Sequence, residues 1–207
     1  MDGFTRGDEF TPPQAAEYRY TTCGKPGGII SNSTDDLFLV SPHKQYRRAY
    51  DEMMRIWNKT GENPVPWVLR LNYEDFPALV AYMHAMARGE ALEEGQLPSS
   101  TFWLMHKSGK MLGAANIRHT ISRSTINYGG HIGYGIRPDE RCNGYATAML
   151  LLALAEAKKL GIDRVRVTCN IENDASRRVI EKNGGVFDNE YHDEGGETIL
   201  CFWIDNR

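Results

Sequence analysis

Residues 131–148 read HIGYGIRPDERCNGYATA, and this stretch decides the fold. It predicts a short strand, a tight loop and the start of a helix. The loop holds Arg141, Gly144 and Ala146 in the spacing Arg-x-x-Gly-x-Ala. A helix start exposes about four unpaired backbone N–H groups at the positive end of the helix dipole, and small side chains let a bound group approach them closely. With the charges of Arg137 and Arg141, these features predict an anion site suited to a phosphate or diphosphate.

A second motif follows this loop at a regular distance. Residues 146–160 have the composition of a helix, and residues 164–170 (RVRVTCN) predict a strand. Residues 173–176 read NDAS and open a further helix, which ends in the run EKNGG at residues 181–185. Asn173 is a suitable N-cap for that helix. The two motifs therefore frame one strand–helix–strand–helix unit.

Both motifs resemble those of the GNAT superfamily of N-acetyltransferases, whose loop reads Arg/Gln-x-x-Gly-x-Gly/Ala. The resemblance covers residues 37–204 and is most specific over residues 131–187. It implies that the loop amides hold the diphosphate of acetyl-CoA, and that Asn173 bonds the pantetheine arm in addition to capping its helix. The cofactor-binding residues implied in this way are Gly135, Ile136, Arg137, Arg141, Cys142, Asn143, Gly144, Tyr145, Ala146, Asn173 and Ser176.

The resemblance also implies the fold class. It is a mixed α/β (α+β) fold with a mostly antiparallel sheet of about seven strands, about four helices and a splayed parallel strand pair. The sequence itself agrees, because strands and helices alternate after residue 130, which predicts parallel pairing there. A hairpin over residues 102–119 predicts antiparallel pairing before it.

The remaining elements are predicted from hydrophobic periodicity. We expect a strand over residues 36–40, an extended segment over residues 65–70 and a loop over residues 120–130. Helices are predicted over residues 43–58 and 73–88, the second capped by Asn72. Strands over residues 186–190 and 198–204 close the chain. Residues 1–35 are rich in turn-forming residues and predict a loosely packed or mobile extension, which leaves residues 36–207 as the acetyltransferase domain.

Composition excludes several other functions. The chain has 207 residues and a net charge of −3, which argues against a nucleic-acid-binding face. No apolar run approaches the ~20 residues that a membrane helix needs, and the first residues lack the order of a signal peptide. The cysteines form no CxxC pair and no HxxH spacing is present, so no metal site is expected. We expect a cytoplasmic protein.

Acetyl transfer requires that the thioester carbonyl be polarised. Gly133 and Gly135 in the strand suit a β-bulge and a close backbone approach. The backbone N–H of Tyr134 or Ile136 is then expected to bond the thioester oxygen as negative charge develops. The sequence does not distinguish between the two amides.

The transfer also needs a proton acceptor for the amine. The catalytic candidates are His131, whose ordinary pKa suits neutral pH, and Tyr134, which lies on the opposite face of the same strand. His119 and a chain of water molecules are further alternatives. The residues alone do not select one of them.

Protonation of the leaving thiolate is where the chain departs from the resemblance. Many relatives have a tyrosine seven residues after the asparagine of the second motif, whereas this chain has Ile180 there. Either another group protonates the sulfur (Tyr145, Cys169 or water), or the thiolate leaves without a proton. We expect Ile180→Tyr to leave the fold intact and to lower turnover little.

Two functions follow as hypotheses. The first is an N-acetyltransferase that moves the acetyl group from acetyl-CoA to a primary amine of a small molecule or peptide. The acceptor would lie between the first two helices, residues 67–72 and the loop over residues 120–130. Glu62, Glu74 and Asp75 could attract a cationic amine. The alternative is a non-catalytic acyl-CoA-binding module or sensor, for which the missing tyrosine is an argument. A homodimer is compatible with either hypothesis.

Overall fold

The computed structural model describes residues 34–207 except residues 91, 123, 124 and 194. The predicted extension therefore lies almost entirely outside the described residues. In chain order the elements are β1 (Leu37–Val40), α1 (Arg47–Thr60), α2 (Phe76–Arg88), β2 (Ser99–His106), β3 (Met111–Arg118), α3 (Thr125–Tyr128), β4 (Ile132–Ile136), α4 (Tyr145–Lys159), β5 (Arg164–Asn170), α5 (Asp174–Lys182), β6 (Val186–His192) and β7 (Thr198–Asp205). None of the helices described is both long and apolar enough to cross a membrane.

The seven strands of the described chain form two sheets. The first has the order β1-β2-β3-β4, the second has the order β5-β7-β6, and every ladder in them is antiparallel. Together with the four longer helices, this arrangement confirms the predicted fold class. The division into two sheets places a gap between β4 and β5.

β4 and β5 meet at one end and separate towards the other. The His131 N–H donates to the Arg166 carbonyl at 2.7 Å, beside the start of both strands. Further along, the Tyr134 hydroxyl reaches Ser176, which lies beyond the end of β5. The two strands therefore run in the same direction, as predicted. They form no ladder among the described residues, so the expected parallel pairing is reduced to this junction and the splay is confirmed.

Two hydrophobic clusters lie on opposite faces of the first sheet. One joins both sheets through α4 and includes Ile132 and Ile136 of β4. The other lies under α1 and α2 and is built around Tyr50, Trp57 and Trp103. Because side chains alternate along a strand, the glycines of β4 face the α1 side and its isoleucines face α4.

α1 begins at Arg47 rather than at His43, because residues 44–46 form a 3-10 turn. The His43 imidazole caps that turn by accepting the Gln45 N–H. Residues 67–70, predicted to be extended, also form a 3-10 turn. The predicted loop over residues 120–130 contains α3.

α2 begins later than predicted, at Phe76. Asp75 caps it by accepting the Ala78 N–H at 3.0 Å, whereas Asn72 accepts the N–H of Glu74. Both side chains can cap a helix, and the prediction that Asn72 caps α2 is wrong.

Candidate active site

The loop between β4 and α4 has the predicted turn. Its backbone is left-handed at Cys142, where φ is 67°, and at Gly144, where φ is 81°. A left-handed residue directly before a helix is most easily a glycine, and Gly144 is the N-cap of α4. A Cβ atom at Gly144 would meet no atom within 4 Å, so the loop is open to a ligand at this point.

The first N–H groups of α4 lie next to this open space. The first helical bonds run from the N–H groups of Thr147 and Ala148 to the Gly144 carbonyl. In the described part of the chain, the N–H groups of Gly144 and Ala146 have no backbone acceptor. The side-chain amide of Asn143 donates to the Glu140 carbonyl at 3.2 Å and stabilises the loop conformation. This arrangement suits an anion at the helix N-terminus.

Arg137 does not supply charge to this loop, contrary to expectation. Its side chain is only 1% exposed and donates to both oxygens of Asp139 at 2.8 and 3.1 Å. It also donates to the carbonyl of Met111 and to Glu52. The guanidinium is therefore neutralised inside the protein, and the Arg137 backbone N–H is bonded to Leu112.

Arg141 lies at the mouth of the gap. Its Nη2 donates to Glu62 at 2.6 Å and its Nε donates to the Ile136 carbonyl at 3.2 Å. The guanidinium carbon lies 6.0 Å from the centre of the Trp57 ring. The side chain thus reaches from the α4 loop, over the end of β4, to the α1 face.

The peptide groups of β4 alternate between β3 and the gap. The bond from the Arg118 N–H to His131 and the bond from the Arg137 N–H to Leu112 mark residues that face β3. Because alternate residues of an antiparallel strand face alternate neighbours, the backbone groups of Tyr134 and Ile136 point into the gap. These are the two amides that the sequence analysis proposed for the thioester oxygen.

The predicted β-bulge at Gly133 and Gly135 is absent. The β3–β4 register is continuous from Ile117 opposite Ile132 to Gly113 opposite Ile136. Glycine is required at position 135 for another reason: a Cβ atom there would collide with the Val65 carbonyl. The chain after α1 thus packs directly on β4 and closes the α1 side of the gap.

Asn173, Ser176 and Tyr134 come together at the other wall of the gap. Asn173 caps α5 by accepting the Ser176 N–H at 3.0 Å, and the Ser176 and Tyr134 hydroxyls are 3.0 Å apart. Burial raises the pKa of Tyr134, which keeps this hydroxyl protonated at neutral pH. A protonated phenol therefore spans the gap between β4 and α5.

His131 lies away from the open part of the gap. Its Nδ1 accepts the Arg166 N–H at 2.9 Å and its side chain is 7% exposed. Burial, with the nearby charge of Arg118, lowers the pKa of His131 to about 4. The imidazole is neutral at physiological pH and acts as a hydrogen-bond acceptor for the strand junction, which does not favour it as the base.

A family model described as an acetyltransferase (GNAT) domain matches residues 39–186. The chain belongs to this family. No curated protein sequence matches it.

Solved structures agree with the GNAT fold. The microcin C7 self-immunity acetyltransferase MccE, solved with acetyl-CoA and AMP, matches with a TM-score of 0.60 and 16% identity over 83% of this chain and 93% of MccE. The dodecameric spermidine N-acetyltransferase from Vibrio cholerae matches with a TM-score of 0.56 and 16% identity over 83% of this chain and 95% of the other chain. The protein YncA from Salmonella typhimurium, solved with its cofactor acetyl-CoA, matches with a TM-score of 0.55 and 13% identity over 83% of this chain and 95% of YncA. At these identities the likeness shows the fold alone.

Ile180, at the position where the resemblance implies a tyrosine, is fully buried. It belongs to the cluster around α4, and Gly185 packs against it. Of the other proton donors considered, the Cys169 thiol is buried, and burial raises its pKa to about 12. The hydroxyl of Tyr145 also has a raised pKa, first because of burial.

The three acidic candidates of the acceptor side differ in position. Asp75 is occupied as the cap of α2, and Glu74 is exposed beside it. Glu62 lies against Arg141 of the GNAT loop. Among the described residues, no group of three His, Cys, Asp or Glu side chains could hold a metal ion.

Two contacts that shape this GNAT site are not among the features predicted from the sequence. Glu62 and Arg141 are 79 residues apart, and no local pattern connects them. The contact of Val65 with Gly135 had a signal, since a glycine inside a strand marks a close backbone approach. That signal was assigned to a ligand, whereas the neighbour is the protein's own chain.

Proposed function

We propose that this protein transfers the acetyl group of acetyl-CoA to a primary amine of a small molecule or peptide. The observation that carries the proposal is the presence of two sets of backbone N–H groups at the two ends of one loop, one set at the start of α4 and the other on β4. Gly144 and Ala146 present N–H groups to an anion, and Tyr134 and Ile136 present theirs to the gap. A diphosphate at the first pair and a thioester at the second would suit one extended acyl-CoA.

In this proposal a backbone N–H group, rather than a charged side chain, stabilises the developing negative charge. The N–H of Tyr134 or Ile136 donates to the thioester oxygen and stabilises the charge that builds up when the amine attacks. Asn173, which is held by its capping bond to the Ser176 N–H, would bond the pantetheine arm. The remaining residues of the predicted loop, Cys142 and Tyr145, contribute through their backbone and through the shape of the turn.

Tyr134 is our candidate for proton transfer to the leaving thiolate. Its phenol is protonated at neutral pH and is bonded to Ser176, so the proton it loses can be replaced through that hydroxyl. Since Ile180 has no proton to give and Cys169 is buried, Tyr134 replaces the tyrosine that many relatives carry elsewhere. The base is a water molecule or a group of the acceptor, because His131 is bonded to the strand junction.

The alternative function is a non-catalytic acyl-CoA-binding module or sensor, and the buried Ile180 is the observation that favours it. For either function we propose that residues 36–207 act as one domain. We retain a cytoplasmic location from the sequence.

Calorimetric titration of coenzyme A into the full chain tests the binding part. Gly144→Asp should abolish binding, because it adds a carboxylate and a side chain where the diphosphate would lie. Gly184→Asp is the matched control, since Gly184 also has a left-handed φ, of 83°, and open space, but lies after α5. Equal binding by wild type and Gly144→Asp would contradict the placement.

Release of free thiol from acetyl-CoA across a panel of amines then separates the two functions. Turnover with any primary amine supports the transferase. Tight coenzyme A binding without turnover on any amine would support the sensor.

A further inference from the structure

Arg141 and Glu62 form an ion pair that connects the two sides of the site. Arg141 opens the loop proposed to hold the diphosphate, and Glu62 follows the end of α1 on the opposite face. Their side chains are 26% and 21% exposed, so solvent screens this pair less than a surface pair. The Ile136 carbonyl, at the end of β4, holds the guanidinium between them.

Two other basic side chains near this loop form ion pairs with different carboxylates. Arg137 is neutralised in the interior by Asp139 and Glu52. Lys110 is paired with Glu140. Arg141 is thus the partly exposed arginine whose guanidinium lies at the mouth of the gap, and its carboxylate partner is Glu62.

A diphosphate at this loop would compete for Arg141. It carries more negative charge than one carboxylate and offers several acceptor oxygens, so it attracts a guanidinium more strongly. A partly buried carboxylate that loses its cation is destabilised until another cation takes its place. The natural replacement on the acceptor side is an ammonium group.

We propose that Glu62 is the ammonium-binding residue of the acceptor site, and that acyl-CoA binding releases it from Arg141. This inference rests on the proposed function, because it takes the diphosphate to bind at the α4 loop. The acceptor class it names is a compound with a protonated amine. Because coupling between two sites is reciprocal, an ammonium compound bound at Glu62 also strengthens the binding of coenzyme A.

Coenzyme A titrations of the full chain test the release step. Removal of the competing carboxylate in Glu62→Gln should tighten coenzyme A binding about twofold to fivefold, the range expected for one partly exposed ion pair. Glu52→Gln is the matched control, since Glu52 also pairs with an arginine, Arg137, that keeps Asp139 as a partner. Its affinity for coenzyme A should be unchanged.

The double variant Glu62→Gln/Arg141→Gln isolates the pair. In the Arg141→Gln background, Glu62→Gln should have no effect on coenzyme A binding. Circular dichroism of each variant confirms the fold. If wild type binds coenzyme A and Glu62→Gln binds it no more tightly, the inference is overturned while the proposed function stands. If wild type does not bind coenzyme A, the proposed function itself fails.

The acceptor step is tested with 1,4-diaminobutane as the probe and 1,4-butanediol as its neutral analogue. The diamine should tighten coenzyme A binding to wild type severalfold, and the diol should not. The effect should vanish in Glu62→Gln. If the diamine does not tighten coenzyme A binding to wild type, or tightens it equally in Glu62→Gln, the assignment of Glu62 is overturned.

Discussion

The carbonyl of Val65 occupies the space that a side chain at Gly135 would need. The same Cβ atom would lie 3.2 Å from Cη2 of Trp57. The segment after α1 therefore contacts the centre of β4 directly.

Gly135→Ala should displace the Val65 segment or bend β4. We expect a loss of about 1–3 kcal/mol in the free energy of unfolding, as for other overpacked sites, together with a clear fall in turnover. Urea unfolding and initial-rate kinetics measure the two effects.

Gly133→Ala is the control for that variant. It lies on the same face of β4, and its Cβ atom would meet Pro66 at 3.6 Å, which is an ordinary contact. Equal losses for the two variants would show that the close approach at position 135 is not what matters.

Ile180→Tyr should destabilise the protein, in contrast to our expectation from the sequence. Ile180 is fully buried next to Gly185, and a phenol has no space there. The expected loss is about 1–3 kcal/mol in the free energy of unfolding, and Ile180→Val should lose less. A Tyr variant as stable as wild type, with higher turnover, would instead mean that this position can accept the tyrosine of the relatives.

The stability of the fold should depend on the protonation of His131. The folded pKa is about 4, whereas an unfolded histidine titrates near 6.5. The unfolded chain therefore binds the proton first, so stability is complete above pH 6.5 and is lost as the pH falls towards 4. The loss approaches about 3 kcal/mol.

His131→Asn separates this effect from catalysis. An asparagine oxygen can accept the Arg166 N–H without titrating, so the pH dependence of urea unfolding should become flatter between pH 6.5 and 4. Turnover at pH 8 should be largely kept. A folded variant with almost no turnover at pH 8 would restore His131 as the base.

Tyr134→Phe should reduce kcat by about tenfold to a hundredfold if the phenol protonates the thiolate. The donor KM should change little, because the backbone amide remains. An acetyl thioester with a more acidic thiol needs less protonation, so the defect should shrink with such a donor. Tyr191→Phe, on β6, is the control and should behave as wild type. A defect that is independent of the leaving thiol would assign Tyr134 a packing role.

The order of elements was predictable because each long segment has a clear period. The strand over residues 164–170 and the helix that follows the loop were predicted almost to the residue. Local sequence signals predicted the bounds of an element correctly where only one residue could begin or end it. At α2 two capping residues competed, Asn72 and Asp75, and the period of the helix did not distinguish them.

The electrostatics of the site were not predictable. Arg137 and Arg141 look equivalent in the sequence, since both lie beside the loop. One is buried among carboxylates and the other is at the mouth of the gap. The partners that decide this, Glu52 and Glu62, are far away in the chain, so only the folded structure reveals them.

The separation of β4 from β5 has a consequence for how a ligand enters. The N–H groups of Tyr134 and Ile136, which would normally bond a neighbouring strand, point into the gap, so an extended acyl arm could take the place of such a strand. Insertion would break no existing ladder. The affinity of such an arm would come mainly from main-chain bonds, and it should tolerate side-chain substitutions that leave the two sheets at the same spacing.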